Sequence, residues 1–224
     1  MKIRKRDTLP QANKVFTDRE EPRESFWRLF GKIKSDISAG EDIQVLAYYG
    51  IGGIGKTSLL HRLMAEMDRN LTRPLYAYVD FNIRKESSAV LDALRNILSE
   101  KYNFRFPMFD LAFYVYAKKT GEKLQEDTAG GLIDKSPFLG TVAEVLGEIP
   151  IIGILKKLDK CAGYVKNLID RRKRDVNTID TDPLDVIYRK LPYYFSLDLA
   201  DNLENTDVPL VLFLDTYEVL VNEM

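Results

Sequence analysis

A run of eight residues combines glycines, a lysine and a hydroxyl in an order that suits phosphate chemistry. Residues 50–57 read Gly-Ile-Gly-Gly-Ile-Gly-Lys-Thr and match the pattern G-x-x-x-x-G-K-[ST] at every fixed position. Glycines let the backbone turn tightly and bring its N–H groups against phosphate oxygens. Lys56 can reach the β- and γ-phosphates, and the Thr57 hydroxyl is a hard oxygen ligand for magnesium. The pattern predicts a phosphate-binding loop for a nucleoside triphosphate.

The neighbouring residues support this interpretation over a chance glycine-rich turn, which is expected in roughly one chain of this length per hundred. An apolar run (residues 43–49, IQVLAYY) precedes the loop, and leucines and methionines at helical spacing follow it. The positive end of that helix would point at the same phosphates. The predicted nucleotide-binding residues of this stretch are Gly50, Gly52, Gly53, Ile54, Gly55, Lys56, Thr57 and Ser58.

A phosphate loop of this kind works with a carboxylate at the end of another strand, which holds the hydrated magnesium ion. Asp215 follows the apolar residues 210–214 and is the predicted magnesium residue, beside Thr57. Without the loop, Asp215 would be read as a strand-to-loop boundary, since Asp favours turns. Hydrolysis also needs a group that orients or deprotonates water. Glu218 is the nearest candidate and Asp80 the alternative; each is otherwise a solvated carboxylate.

Strands that alternate with helices must position these residues. Residues 43–49, 75–81 and 208–214 are predicted strands, the first of them buried, and helices are predicted in residues 15–37, 58–67, 87–98, 109–116 and 183–202. This alternation predicts an α/β fold with a mostly parallel sheet. Residues 1–13 form a polar arm, and residues 14–224 form one nucleotide-binding domain with a helical insertion at about residues 104–180. The aromatic residues 104–116 are expected in its core.

Composition excludes several classes of protein. The 33 basic and 34 acidic residues nearly cancel, which argues against a strongly basic nucleic-acid-binding domain. The run Arg171 to Arg174 is expected to be a solvated face.

Residues 138–158 are apolar but hold charges and Pro150, so we expect a buried or partner-facing helix pair there and no membrane span. The lone Cys161 and the lack of a secretory signal favour the cytoplasm. His61 is expected to pack or to be exposed.

The chain resembles the STAND-class signalling ATPases, P-loop NTPases with an NB-ARC/AAA-like ATPase domain that include plant disease-resistance and apoptotic proteins. The string Gly-Ile-Gly-Gly-Ile-Gly-Lys-Thr-Ser-Leu at 50–59 is similar to their phosphate loop. Residues 15–20 resemble the h-h-x-G-R-E element of bacterial members, residues 78–81 their second strand and residues 212–218 their magnesium strand. The resemblance implies a P-loop NTPase fold with helices on both faces of the sheet, ATP or ADP with Mg²⁺ as cofactors, and contact of Val15 and Phe16 with the adenine.

Two positions depart from the family pattern. Asp18 stands where the family has Gly, and Thr216 stands where a second acidic residue often follows the magnesium Asp. The resemblance also implies further strands, a sensor arginine, a helical lid and a winged helix downstream. One of those strands would lie between the magnesium strand and the phosphate-loop strand, so residues 1–224 are expected to be the N-terminal part of a longer domain, with an open place in the sheet.

Three functions are therefore considered. The resemblance implies an ATP-dependent molecular switch in signal transduction or bacterial antiviral defence, with slow hydrolysis, nucleotide-dependent homo-oligomers and a protein trigger. An AAA+ motor or loader ATPase is the first alternative, although it would have an acidic residue in place of Thr216. The second alternative is a nucleotide-stabilised module without enzymatic activity, which would use the helical insertion as a surface for a partner.

Overall fold

The computed structural model describes residues 19–36, 44–70, 74–82, 87–120, 178–179, 181–204, 206 and 208–217. Within these ranges the protein is α/β, with five long helices and one sheet of two parallel strands. The elements are α1 (Glu20–Asp36), α2 (Lys56–Arg69), β1 (Leu75–Asp80), α3 (Ser87–Tyr102), α4 (Pro107–Thr120), α5 (Leu184–Leu203) and β2 (Leu210–Asp215). The parallel sheet and the helices confirm the α/β class predicted from the sequence.

The chain divides into two compact units, one of residues 1–85 and 207–224 and the other of residues 86–206. The first holds the phosphate loop, α1, α2 and both strands. The second holds α3, α4 and α5. The insertion predicted at residues 104–180 falls within the second unit, which begins earlier and ends later along the chain.

The core of the first unit lies where α1 and α2 cover one face of the sheet. Leu59, Leu63 and Met67 recur at helical spacing and are buried, and they share this core with Phe26 of α1. The ring of Phe26 stacks on that of Phe213 in β2, with centroids 5.8 Å apart. Burial of such apolar surface, at about 25 cal/mol per Å², is what holds the two helices on the sheet.

The two strands run parallel in a register that brings their last residues side by side. Pairing begins at Leu75 with Leu210 and ends at Asp80 with Asp215. Since side chains alternate between the faces of a sheet, Asp215 lies on the same face as Phe213, which is the face that α2 covers. Both carboxylates therefore stand at the carboxyl edge of the sheet, where open α/β sheets bind their ligands.

The second unit packs α4 against α5 through aromatic side chains. Phe106 stacks on Phe195 at 5.0 Å, and Phe109 meets the same ring edge-on at 5.7 Å. These residues are buried, as the sequence predicts for the aromatic residues 104–116. A buried ion pair between Arg95 and Asp110 also joins α3 to α4.

The prediction of a buried strand at residues 43–49 is wrong for the residues described, 44–49. They form no strand, and Val45 and Tyr49 are 81% and 94% exposed. A strand needs a neighbour for its backbone N–H and C=O groups, and the two strands of the described sheet pair only with each other. The apolar sequence is that of a buried strand, but no described strand lies alongside it.

Several other predictions fall outside the described residues. These are the N-terminal arm, the helix-entry residues Thr17 and Asp18, the apolar residues 138–158, and the basic run from Arg171 to Arg174. Among the helices that the structure does describe, none is both long enough and apolar enough to cross a membrane.

Candidate nucleotide-binding site

The loop between residues 50 and 55 has the backbone that its glycines permit. Gly53 and Gly55 have φ of 77° and 92°, a region that L side chains rarely adopt. The loop closes with a hydrogen bond from the N–H of Ile54 to the carbonyl of Ile51, at 3.4 Å. A side chain at Gly53 or Gly55 would strain this turn, which explains why the sequence has glycine there.

Helix α2 begins directly after the loop, with Gly55 as its N-cap and no side chain that caps it. Its first intrahelical bond runs from the N–H of Leu59 to the carbonyl of Gly55, at 3.0 Å. The N–H groups of the first turn of a helix have no partner within the helix, and the helix dipole places partial positive charge there. Such a helix start suits an anion, and phosphate is the anion that the sequence motif predicts.

Two side chains of the motif stand at this helix start. The ammonium of Lys56 donates a hydrogen bond to the carbonyl of Gly50 at 2.8 Å, which holds the lysine across the loop. Thr57 is exposed, so its hydroxyl is accessible to a ligand. Both residues lie where the motif predicts a phosphate-binding cation and a magnesium ligand.

Arg19 is a further cation at the loop. A Cβ atom placed on Gly55 would lie 3.5 Å from a terminal guanidinium nitrogen of Arg19. Arg19 immediately precedes α1 and belongs to the residues 15–20 that resemble the h-h-x-G-R-E element. The loop motif does not include Arg19, so its position in the element at residues 15–20 was the signal that could have found it.

Asp215 is buried, and each of its carboxylate oxygens accepts a hydrogen bond. The hydroxyl of Tyr78 donates to Oδ2 at 3.1 Å, and the N–H of Thr216 donates to Oδ1 at 2.9 Å. Each oxygen keeps a lone pair beyond these bonds. Burial, and then the bond to Asp215, raise the pKa of the Tyr78 phenol above its usual range, so Tyr78 stays a donor near neutral pH.

Asp80 is held in the same cluster. Its Oδ1 accepts a hydrogen bond from the N–H of Asn82 at 2.9 Å and another from the hydroxyl of Thr216 at 3.1 Å. The amide of Asn82 in turn donates to the Thr216 hydroxyl at 3.1 Å. Asp80, the alternative candidate for a water-activating group, is therefore tied to the residue that follows the predicted magnesium Asp.

The phosphate-loop helix touches this cluster through His61. Its ring meets that of Tyr78 edge-on, with centroids 5.5 Å apart. His61 and Thr57 are four residues apart and so lie on one face of α2. His61 is exposed and packs on a ring, in keeping with the role expected from the sequence.

No family model, curated protein or solved structure matches this chain. The assignment of the site therefore depends on its residues and their geometry.

The structure places most of the predicted site residues in one unit. The loop residues 50–58 and Asp215 all belong to the first unit, and α2 contacts β2. Val15, Phe16 and Glu218 lie outside the described residues, so the predictions for adenine contact and for the water-activating Glu218 stay predictions. Tyr78 and Asn82 were not singled out from the sequence, because their roles come from partners distant along the chain.

The residue types at this candidate site fit a nucleoside triphosphate with magnesium. The loop offers backbone N–H groups, a helix start and Lys56 to the phosphates, while Thr57 and Asp215 offer oxygen atoms. Within the described ranges no three His, Cys, Asp or Glu side chains gather as a metal site. Magnesium in NTPase sites is bound by one or two protein oxygens together with the substrate phosphates, so it does not need such a group.

Proposed function

We propose that this protein is an ATP-binding molecular switch of the STAND type, built on a P-loop NTPase fold. The observation that carries the proposal is the loop at residues 50–57. Its sequence matches the phosphate-loop pattern, and three of its glycines, Gly50, Gly53 and Gly55, have positive φ ahead of a helix that no side chain caps. The parallel strand that ends in Asp215 adds the carboxylate that such a site needs.

Each residue has a separate task in this proposal. The loop N–H groups and Lys56 bind the phosphates, and Arg19 adds positive charge beside Gly55. Thr57 and Asp215 hold the hydrated magnesium ion, which neutralises phosphate charge when bound.

Val15 and Phe16 pack on the adenine, and Glu218 or Asp80 orients the water for slow hydrolysis. ATP and ADP would favour different arrangements of the protein, and ATP would favour homo-oligomers that signal after a protein trigger.

The residue that follows Asp215 favours a switch over an AAA+ motor. The residue after Asp215 is Thr216, whose hydroxyl is bonded to Asp80 and Asn82. A threonine is no base at neutral pH, so the chemistry at this position suits slow turnover. The motor alternative predicts fast hydrolysis and an acidic residue at 216.

The test is calorimetry of ATP and ADP binding with magnesium, for the wild-type chain and for Lys56→Ala. Micromolar affinity that Lys56→Ala abolishes would support the proposal. Lys101→Ala, an exposed lysine of the second unit, is the matched control and should bind as the wild type does. Equal affinity in wild type and Lys56→Ala, or no binding by folded wild-type protein, would contradict nucleotide binding at this loop.

A nucleotide-stabilised interaction module is the second candidate, and the surface of α5 favours it. Leu184, Tyr188 and Tyr193 are exposed on this helix of the second unit. This role is indicated if nucleotide raises the melting temperature of the protein while no phosphate is released from ATP. Measurable ATP turnover that is lost in Lys56→Ala would instead indicate the switch.

A further inference from the structure

The carboxylate of Asp215 is oriented from a neighbouring strand and not only by its own. Tyr78 lies on β1 opposite Phe213, and its hydroxyl crosses to Oδ2 of Asp215, two residues further along β2. The N–H of Thr216 occupies Oδ1 at the same time. With both oxygens bonded to donors, rotation of the carboxylate about its Cβ–Cγ bond would break two hydrogen bonds.

The ring of Tyr78 is itself held by α2. His61 packs edge-on against it, on the helix face that also carries Thr57. Tyr78 thus links Asp215 to the helix that carries Thr57, the other residue predicted to hold magnesium.

We propose that Tyr78 is a positioning residue of the magnesium site, which fixes the Asp215 carboxylate in the orientation that a hydrated Mg²⁺ requires. This inference rests on the proposed function. Water ligands of a bound Mg²⁺ would donate hydrogen bonds to the Asp215 carboxylate. A carboxylate held by two donors meets such a ligand without first losing rotational freedom, which is the advantage of a preorganised site.

The chain contains a matched control for this role. Tyr76 lies two residues before Tyr78, on the same face of β1, and its hydroxyl donates to Oδ1 of Asp68 at 2.7 Å. Tyr76→Phe and Tyr78→Phe therefore remove the same group from the same strand face, in each case a hydroxyl bonded to a carboxylate. Only Tyr78→Phe removes it from Asp215.

The experiment measures the ATP affinity of wild type, Tyr78→Phe and Tyr76→Phe, each with Mg²⁺ and with EDTA. Tyr78→Phe should weaken binding about 10- to 150-fold in Mg²⁺, as expected when a hydrogen bond to a charged group is lost, and should leave the EDTA affinity unchanged. Tyr76→Phe should match the wild type in both buffers. If Tyr78 only stabilised the fold, Tyr78→Phe would lower the ATP affinity in Mg²⁺ and in EDTA together.

The outcomes separate this inference from the function on which it rests. If wild type binds ATP but Tyr78→Phe has the same magnesium dependence as Tyr76→Phe, the inference fails and the proposed function stands. If folded wild type does not bind ATP in either buffer, both fail.

His61→Leu is a second variant, which decides the matter if Tyr78→Phe does not fold. It removes the ring that supports Tyr78. Since an aromatic pair of this kind contributes modestly, the ATP affinity in Mg²⁺ buffer should fall about 2- to 10-fold. A loss confined to Mg²⁺ buffer supports the inference. An equal loss in both buffers, or none, overturns it.

Discussion

The hydroxyl of Thr216 donates a hydrogen bond to Oδ1 of Asp80 across 3.1 Å and so ties the end of β2 to the end of β1. Thr216 reaches this position with a φ of 58°, which is unusual for a β-branched residue. Such backbone conformations cost of order 1–3 kcal/mol and persist where the surroundings enforce them. The hydrogen bonds to Asp80 and Asn82 supply that enforcement.

Replacement of Thr216 by Val should therefore lower the free energy of unfolding by about 1–2 kcal/mol, because Asp80 and Asn82 lose a partner while the strained φ remains. Urea denaturation measures the change. Thr216→Ser keeps the hydroxyl and lacks the β-branch, so it should stay within about 0.5 kcal/mol of wild type. Equal effects of Val and Ser would show that the hydroxyl does not stabilise the strand ends.

Substitution of Gly55 tests the conformation of the phosphate loop without any ligand. Gly55→Ala should destabilise the protein by about 1–2 kcal/mol, since an L side chain at φ 92° is strained. Gly52→Ala is the control, because Gly52 does not have positive φ and a Cβ there would meet no atom within 4 Å. The two variants are compared by chemical denaturation. Equal stabilities would contradict the loop backbone described above.

The buried ion pair of Arg95 and Asp110 is the next test, since both side chains are only 2% exposed and the pair is joined by two hydrogen bonds of 2.8 Å. Arg95→Met should lower the free energy of unfolding by about 3–5 kcal/mol, because it leaves a buried carboxylate without its counter-ion. The double variant Arg95→Met with Asp110→Leu should recover much of this loss.

Denaturant unfolding of the single and double variants gives the coupling energy directly. Arg189→Met removes the exposed ion pair with Asp185 and should cost less than about 1 kcal/mol. Additive effects of the Arg95 and Asp110 variants would contradict a direct buried interaction.

Asp198 of α5 makes the stability of the second unit depend on pH. It is buried and accepts a hydrogen bond from the N–H of Phe109 at the start of α4, at 2.8 Å. Burial, with smaller contributions from the charges of Asp110 and Asp201, raises the pKa of Asp198 to about 8, although hydrogen bonds from the N–H groups of Phe109 and Met108 act to lower it. Between about pH 4 and pH 8 the unfolded chain loses this proton and the folded chain keeps it.

The free energy of unfolding should therefore fall as the pH rises through this window, by up to about 1.4 kcal/mol per pH unit from this group. Asp198→Asn cannot ionise, so the difference between wild type and Asp198→Asn should change with that slope in urea unfolding from pH 5 to pH 8. Asp185→Asn, an exposed position on the same helix, is the control. A difference that stays constant with pH would show that Asp198 does not take up this proton.

Part of the fold and of the site could be predicted from the sequence because it depends on residues close together in the chain. The phosphate loop is contiguous, and its glycines, its lysine and the helix that follows specify their own local structure. The apolar spacing of α2 and the aromatic character of α4 likewise indicated which faces are buried. Asp215 was identified because an aspartate directly follows an apolar strand.

The tertiary structure decided what joins these parts. Tyr78 and Asp215 are 137 residues apart in sequence, and only the parallel register of β1 and β2 brings the hydroxyl to the carboxylate. The same register sets Asp80 beside Thr216. Pairing also explains the wrong prediction at residues 43–49, because an apolar run becomes a strand only where a neighbour accepts its backbone hydrogen bonds. Local sequence thus determined the backbone of the loop at residues 50–55, while contacts between residues distant in the chain determined how the carboxylate of Asp215 is held.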